Sequence, residues 1–326
     1  MKKNIVRIVG FLLILSIVIL KLNDVVAFKY TDGVTQMEYF YELPKDTVDV
    51  LVLGSSHAFV DVNPEILYDE YGLAAYDLCG SMQPMWNTYY YMKEALKYQT
   101  PKLIVLDVYR LVEAFPYSKE SKIVKNTYGM RFSHNKYESI KASLSEEDKG
   151  DLLLHMVEFP SYHSRYVDLT AEDFDRSLVV DESYKGAHPV TEVAPMERPE
   201  LAHVTETIEI EPKTMEYFEK ILSLANEKDI PVFLINAPYI MTEDDKKVFN
   251  TLEEYLAAQT KYDNVFYVDF NRMYDEMQID FAADFADPNH LNVNGLGKFN
   301  HALGACIKEN YELPDRRGDA AFVSYE

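Results

Sequence analysis

Four short runs of β-branched and aliphatic residues, with amphipathic stretches between them, constrain the fold of this 326-residue chain more than any other feature. They are Thr47–Leu53 (TVDVLVL), Lys102–Val108 (KLIVLDV), Pro231–Asn236 (PVFLIN) and Asn264–Phe270. Continuous apolar runs of this length suit strands buried on both faces. A helix is expected to begin at Asn63-Pro64, where Asn suits the N-cap and Pro the first turn. Further helices are expected over Gln83–Tyr98, Glu211–Lys228, Glu243–Thr260 and Gly295–Lys308. Strands alternating with helices predict an α/β chain built on a doubly wound parallel sheet in three layers. Ligands are then expected beyond the carboxyl ends of the strands.

The alternation lapses over about residues 111–205, which are rich in Tyr, Phe, His, Arg and Glu. This stretch reads as a mostly helical insertion into a domain spanning 40–312, with 313–326 left as a tail. Within it, Phe159–Tyr166 (FPSYHSRY) sets His163 and Arg165 among aromatic residues. That pattern suits either a substrate-facing lid or a packed helical cap.

The amino terminus has a different composition. Ile5–Leu20 is nearly all apolar, preceded by Lys2 and Lys3 and interrupted by Arg7. Counting on to Val26 gives the roughly 20 residues needed to cross a bilayer. Basic residues on the amino side favour a cytoplasmic start and an exported remainder. Residues 1–28 are therefore expected to be a membrane anchor. A cleaved signal peptide and a buried core helix are the alternatives, and Val25-Val26-Ala27-Phe28 is a poor cleavage site.

The formal net charge of −22 would repel phosphate backbones, so no nucleic-acid partner is expected. Cys79 and Cys306 fit no zinc or CxxC spacing and are left either to pair or to stay buried. No histidine pair has metal-ligand spacing, and no Walker loop or GxGxxG occurs, so no metal or nucleotide cofactor is expected.

Two short motifs carry chemistry. Gly54-Ser55-Ser56-His57 follows the first strand, and Asp287-Pro288-Asn289-His290 precedes the last helix. By itself the first suits a plain serine turn and the second a capping turn. Both fall at the same predicted sheet edge, where Asp287 would orient His290 and His290 would deprotonate Ser56. His57 is expected to cap the helix that follows it.

With these blocks the sequence resembles the SGNH (GDSL-like) hydrolase superfamily, in particular the membrane-anchored cell-envelope acyltransferases and esterases related to the D-alanyl transfer protein of teichoic acid synthesis. The resemblance covers roughly Val48–Leu111 and Pro231–Lys308. It implies a flavodoxin-like sheet, a Ser56-His290-Asp287 triad, and Gly80 as an oxyanion-hole donor. The family's Gly-x-Asn-Asp block is replaced by Asp107-Val108-Tyr109-Arg110. Tyr109, Arg110 and Asn236 are then the candidates for the third donor. The implied protein is a single-pass, extracytoplasmic serine esterase or O-acyltransferase acting on an acylated cell-surface carbohydrate or wall polymer, with a membrane-bound acyltransferase as a possible partner. A non-catalytic glycan-binding or scaffold component is the alternative.

Overall fold

The computed structural model describes residues 2–27, 31–112, 115–157, 162–175 and 185–319. The apolar runs form the strands β1 (Val50–Leu53), β2 (Ala75–Asp77), β3 (Leu103–Asp107), β4 (Val232–Asn236) and β5 (Val265–Asp269). They pair in the order β2-β1-β3-β4-β5, and every pairing is parallel. The order reverses between β1 and β3, so the crevice at their carboxyl ends is where such a sheet receives ligands.

Alternation along the strands divides the interior in two. Leu51, Leu53, Ile104, Leu106, Val232 and Leu234 point into one core, and Val50, Val52, Leu103, Val105, Phe233 and Ile235 into the other. All twelve belong to the three inner strands, which explains their unbroken hydrophobicity. In chain order the helices are α1 (Lys2–Val26), α2 (Gln36–Glu42), α3 (Ser56–Asp61), α4 (Pro64–Tyr71), α5 (Met85–Ala95), α6 (Glu120–Thr127), α7 (His134–Ser143), α8 (Leu152–His155), α9 (Pro212–Glu227), α10 (Glu243–Ala258) and α11 (Val293–Asn310). The first core is closed by α2, α5, α9 and α10, the second by α3, α4 and α11. Asn63 caps α4 as expected, accepting from the N–H groups of Glu65 (2.8 Å) and Ile66 (3.2 Å).

Helices α6–α8 enclose a small core of Ile123, Ile140, Leu144, Leu152 and Met156. They dock on α5, where Trp86 Nε1 donates to Ser143 Oγ (2.9 Å) and Asn87 Nδ2 to Ser139 Oγ (2.6 Å). After residue 185 the chain runs without a regular helix or strand across the carboxyl edge of the sheet. The N–H of His188 bonds to Phe59 O (2.7 Å), and that of Ala194 to Phe285 O (2.8 Å). Of the expected Phe159–Tyr166 lid, Phe159–Ser161 lie outside the described residues. Arg165 does not line the serine's cavity and instead bonds to the carbonyls of Val26 and Ala27 at the end of α1.

Helix α1 is long and apolar enough to cross a membrane, and none of its apolar window is buried against the α/β body. That overturns the core-helix alternative, because a core helix must bury one stripe at least. Both cysteines are free thiols, Cys79 buried and Cys306 half-buried, so the pairing alternative also falls. The described part of the tail is not loose: Arg316 grips Asp49 with two nitrogens (2.6 and 3.1 Å).

Candidate functional site

The site begins with the turn out of β1. A side chain on Gly54 would place its Cβ 2.7 Å from Cβ of Asp107, so only glycine lets β1 end this close to β3. The chain then enters α3 at once, with Ser55 at the N-cap position and Ser56 as the first helical residue. Ser55 is fully buried and Ser56 is partly exposed. The first-turn N–H groups of a helix have no partner within it and point toward this space.

From the other end of the chain comes a two-stranded hairpin, β6 (Phe285–Asp287) and β7 (His290–Leu291). Asp287 and His290 are directly opposed across it. His290 Nδ1 lies 2.9 Å from Oδ2 of Asp287 and 3.1 Å from Oδ1. The contact fixes the ring and leaves Nε2 as the nitrogen that faces elsewhere. Nε2 is buried and makes no hydrogen bond. The helix cap foreseen as an alternative use of this turn is supplied by Asn292 instead, whose Oδ1 accepts from the N–H groups of Asn294 (2.9 Å) and Gly295 (3.3 Å).

Ser56 and His290 line one cavity of about 520 Å³, together with Asp32, Phe59, Val60, Ser81, Lys125, His188 and Val190. Within it Nε2 and the serine hydroxyl are not hydrogen-bonded. Gly80 is buried and does not line this cavity, although its neighbour Ser81 does. A larger concavity of about 730 Å³ lies past β5 among Arg198, Glu200, Asn250, Asp269 and Arg272, and contains neither the serine nor the His–Asp pair. We place the chemistry in the smaller one, since a hydroxyl and an oriented imidazole share its wall.

Three residues expected on the substrate side are elsewhere. Tyr109 is buried, its ring stacked on His57 with centroids 3.4 Å apart. Arg110 lines a separate cavity of about 130 Å³ with Lys119 and Lys122. Asn236 is fully buried and donates from Nδ2 to Asp269 Oδ1 (3.0 Å). His57 does not cap the helix that follows it: it lies inside α3, and Asn63 caps α4. Its ring is fully buried, 5.4 Å from that of His290 between centroids, and neither nitrogen has a hydrogen-bond partner. Burial, the neighbouring His290 and Arg110 all lower its pKa, which keeps it neutral.

Sequence reasoning missed Asp32, Lys125, His188 and Asp61. Asp32 accepts from Ser81 N (2.9 Å) and from Lys125 Nζ (2.7 Å), tying the segment after α1 to the cavity wall. Asp61 ends the helix that Ser56 begins, and its Oδ1 accepts the N–H of Leu291 (2.9 Å), the residue after His290. Asn300 reinforces the joint, donating to Asp61 O (2.7 Å) and accepting from Asn63 N (2.8 Å). No local pattern announces such contacts.

No protein-family model matches the chain, and no curated protein matches it. Among the described residues, no group of three His, Cys, Asp or Glu side chains is placed to hold a metal ion.

Three carboxyls behind the cavity, Asp61, Asp77 and Asp107, are fully buried. Burial pushes Asp77 and Asp107 up to about 7, against the pull of the Cys79 N–H on Asp77 and of the Tyr109 and Ser55 groups on Asp107. Folded Asp77 thus holds a proton that the unfolded chain releases near pH 4, and the stability this gives below pH 4 is lost as pH rises through 7. Asp77→Asn removes that loss, placing its NH₂ where Oδ2 has no partner. Relative to the parent, the variant should gain on the order of 1–3 kcal/mol at pH 8 and almost nothing at pH 4. Urea midpoints at the two pH values measure this, and a difference independent of pH would remove the argument.

Proposed function

We propose that this chain is a membrane-anchored serine esterase or O-acyltransferase, with Ser56 as nucleophile, His290 as general base and Asp287 as its orienting carboxylate. The observation that carries the reading is His290 itself. Its Nδ1 is held by Asp287, while Nε2 is buried, without a partner, and lines the same cavity as Ser56. An imidazole held in this way is a proton acceptor waiting for a donor. The hydrogen bond between Ser56 and His290 Nε2 is not made here, and catalytic hydrogen bonds of this kind tighten as substrate is engaged.

In the first half-reaction, His290 Nε2 takes the proton of Ser56 Oγ as Oγ bonds to the ester carbonyl carbon. The N–H groups of Ser56 and Gly80 stabilise the oxyanion. The carbon–oxygen bond to the leaving alcohol then breaks, and the alcohol departs with the proton from Nε2. In the second half-reaction, water or a sugar hydroxyl attacks the acyl-serine and gives its proton to Nε2, and that proton returns to Ser56 Oγ. Each step balances without a metal or cofactor.

The basic residues Lys2, Lys3 and Arg7 hold the amino end of α1 in the cytoplasm, so the α/β domain lies outside the membrane. An acylated cell-surface carbohydrate or wall polymer suits that location, with a membrane-bound acyltransferase as a partner that delivers acyl groups. Labelling with a fluorophosphonate tests the nucleophile. The purified full-length chain should be modified once, at Ser56, and labelling should fall at least tenfold in His290→Ala. A glycan-binding or scaffold protein has no reason to activate that hydroxyl, and unlabelled Ser56 would favour that reading.

A further inference from the structure

Residues 162–175 are fastened to the end of α1. One guanidinium nitrogen of Arg165 donates to the carbonyl oxygens of Val26 (2.7 Å) and Ala27 (3.0 Å). Last-turn carbonyls have no partner within a helix, so this contact satisfies groups that hydrocarbon would leave exposed. The other terminal nitrogen pairs with Asp173 (2.5 Å), whose Oδ2 accepts the N–H of Thr170 (2.8 Å). The short turns His163–Val167 and Ala171–Asp173 both touch α1 and are locked to each other through this pair.

The same stretch exposes large apolar side chains. Tyr166, Val167 and Phe174 are 70%, 68% and 69% accessible, although their neighbours Arg165 and Asp173 are tucked in. Exposed singly, such residues need no explanation; three of them bolted to the last turn of an apolar helix do. Where a helix of this length crosses a bilayer, its last turn reaches the headgroup boundary. Whatever is fixed to that turn shares its depth. Aromatic and aliphatic side chains are favoured there, tyrosine above all because its hydroxyl stays wet.

We infer that Tyr166, Val167 and Phe174 form a foot that enters the lipid of the leaflet where α1 ends, so that the domain rests on the bilayer and does not swing freely from its anchor. This rests on the reading of α1 as a membrane anchor. The occupant of the patch is lipid, because the patch is continuous with the surface of α1. The contact is apolar in kind, since Asp168, Glu172 and Asp175 around it are acidic and gain nothing from anionic headgroups. Its consequence concerns the substrate. Asp32, on the wall of the Ser56 cavity, follows Ala27 by five residues. A chain of that length spans at most about 18 Å. With the foot in place, the cavity stays at the membrane surface, where it meets acyl esters presented by lipids or membrane proteins.

Spin labels on the full-length chain in phosphatidylcholine vesicles, with and without one-quarter phosphatidylglycerol, test the inference. In a Cys306→Ser background, single cysteines replace Val167, Phe174 and, as the reference inside α1, Ile14. Collision with oxygen is compared with collision with a water-soluble nickel chelate. At 167 and 174 the oxygen-to-nickel ratio should stand several-fold above that of a label in water and below that at position 14, in both lipid mixtures. Water-like ratios at 167 and 174 with a hydrocarbon-like ratio at 14 would overturn the foot and leave the anchor intact. Low collision rates with both reagents at 167 and 174 would overturn it too, since the patch would then be covered by protein. A water-like ratio at 14 would remove the anchor reading itself.

Discussion

Ser56→Ala should lower turnover of an aryl acetate by at least about 10³-fold, with the far-UV spectrum and unfolding midpoint unchanged. His290→Ala should cost about as much, because the serine hydroxyl is a poor nucleophile without a base. Asp287→Ala should cost less, on the order of 10²–10⁴-fold, since the imidazole survives but loses the partner 2.9 Å from Nδ1. The effects should not add. The triple variant is expected to be no slower than Ser56→Ala within a few-fold, because the three groups act on one proton transfer. Steady-state rates on the full-length protein in detergent check the series. Turnover equal to the parent's in all four variants would end the triad and with it the proposed chemistry.

Asp61→Ala should be the most damaging change away from the cavity. It leaves the buried N–H of Leu291 without an acceptor, at a stability cost of about 1–3 kcal/mol. It also cuts a side-chain hydrogen bond by which the helix of Ser56 holds the strand of His290. We expect kcat to fall about 10- to 100-fold with KM within about threefold, since reacting groups misplaced by about an ångström cost this much. Asp61→Asn should restore most of the rate, because its amide oxygen accepts the same N–H. Burial, with nearby Asp107 and Asp287, raises the Asp61 pKa well above its ordinary value. The stability its proton confers is lost as pH rises, so the Asn variant should gain on the parent toward alkaline pH. Reduced stability in Asp61→Ala with an unchanged kcat would show that the joint supports the fold alone.

The strands and most helices were legible because their signals are local. Val50–Leu53 and Leu103–Asp107 lie within the expected runs, and β4 and β5 begin one residue inside theirs. The His290–Asp287 contact was legible for the same reason, being three residues apart on a turn. Helix α3 was not. Its six residues carry no capping signal, and the Ser55 side chain makes no cap hydrogen bond. It is helical because Ala58, Phe59 and Val60 are buried against the second core. His57 was misjudged because adjacency to Ser56 says nothing about the ring's direction, which is set by stacking on Tyr109 far along the chain. Asp32 and Lys125 meet across 93 positions, and Asp61 and Leu291 across 230. Pairs of that separation leave no periodicity to read.

That separation also sets an order of assembly. The candidate nucleophile opens the helix that follows β1, the second strand of the sheet order, whose partners β2 and β3 are complete by residue 107. Its base arrives on a hairpin near residue 290 and is clamped by α11, the last helix. Chains grow from the amino end, so Ser56 exists for most of synthesis without a proton acceptor, and contacts of such high sequence separation form late. Under the proposed chemistry an interrupted chain would be inert at this serine, and reactivity would signal that the carboxyl end has docked.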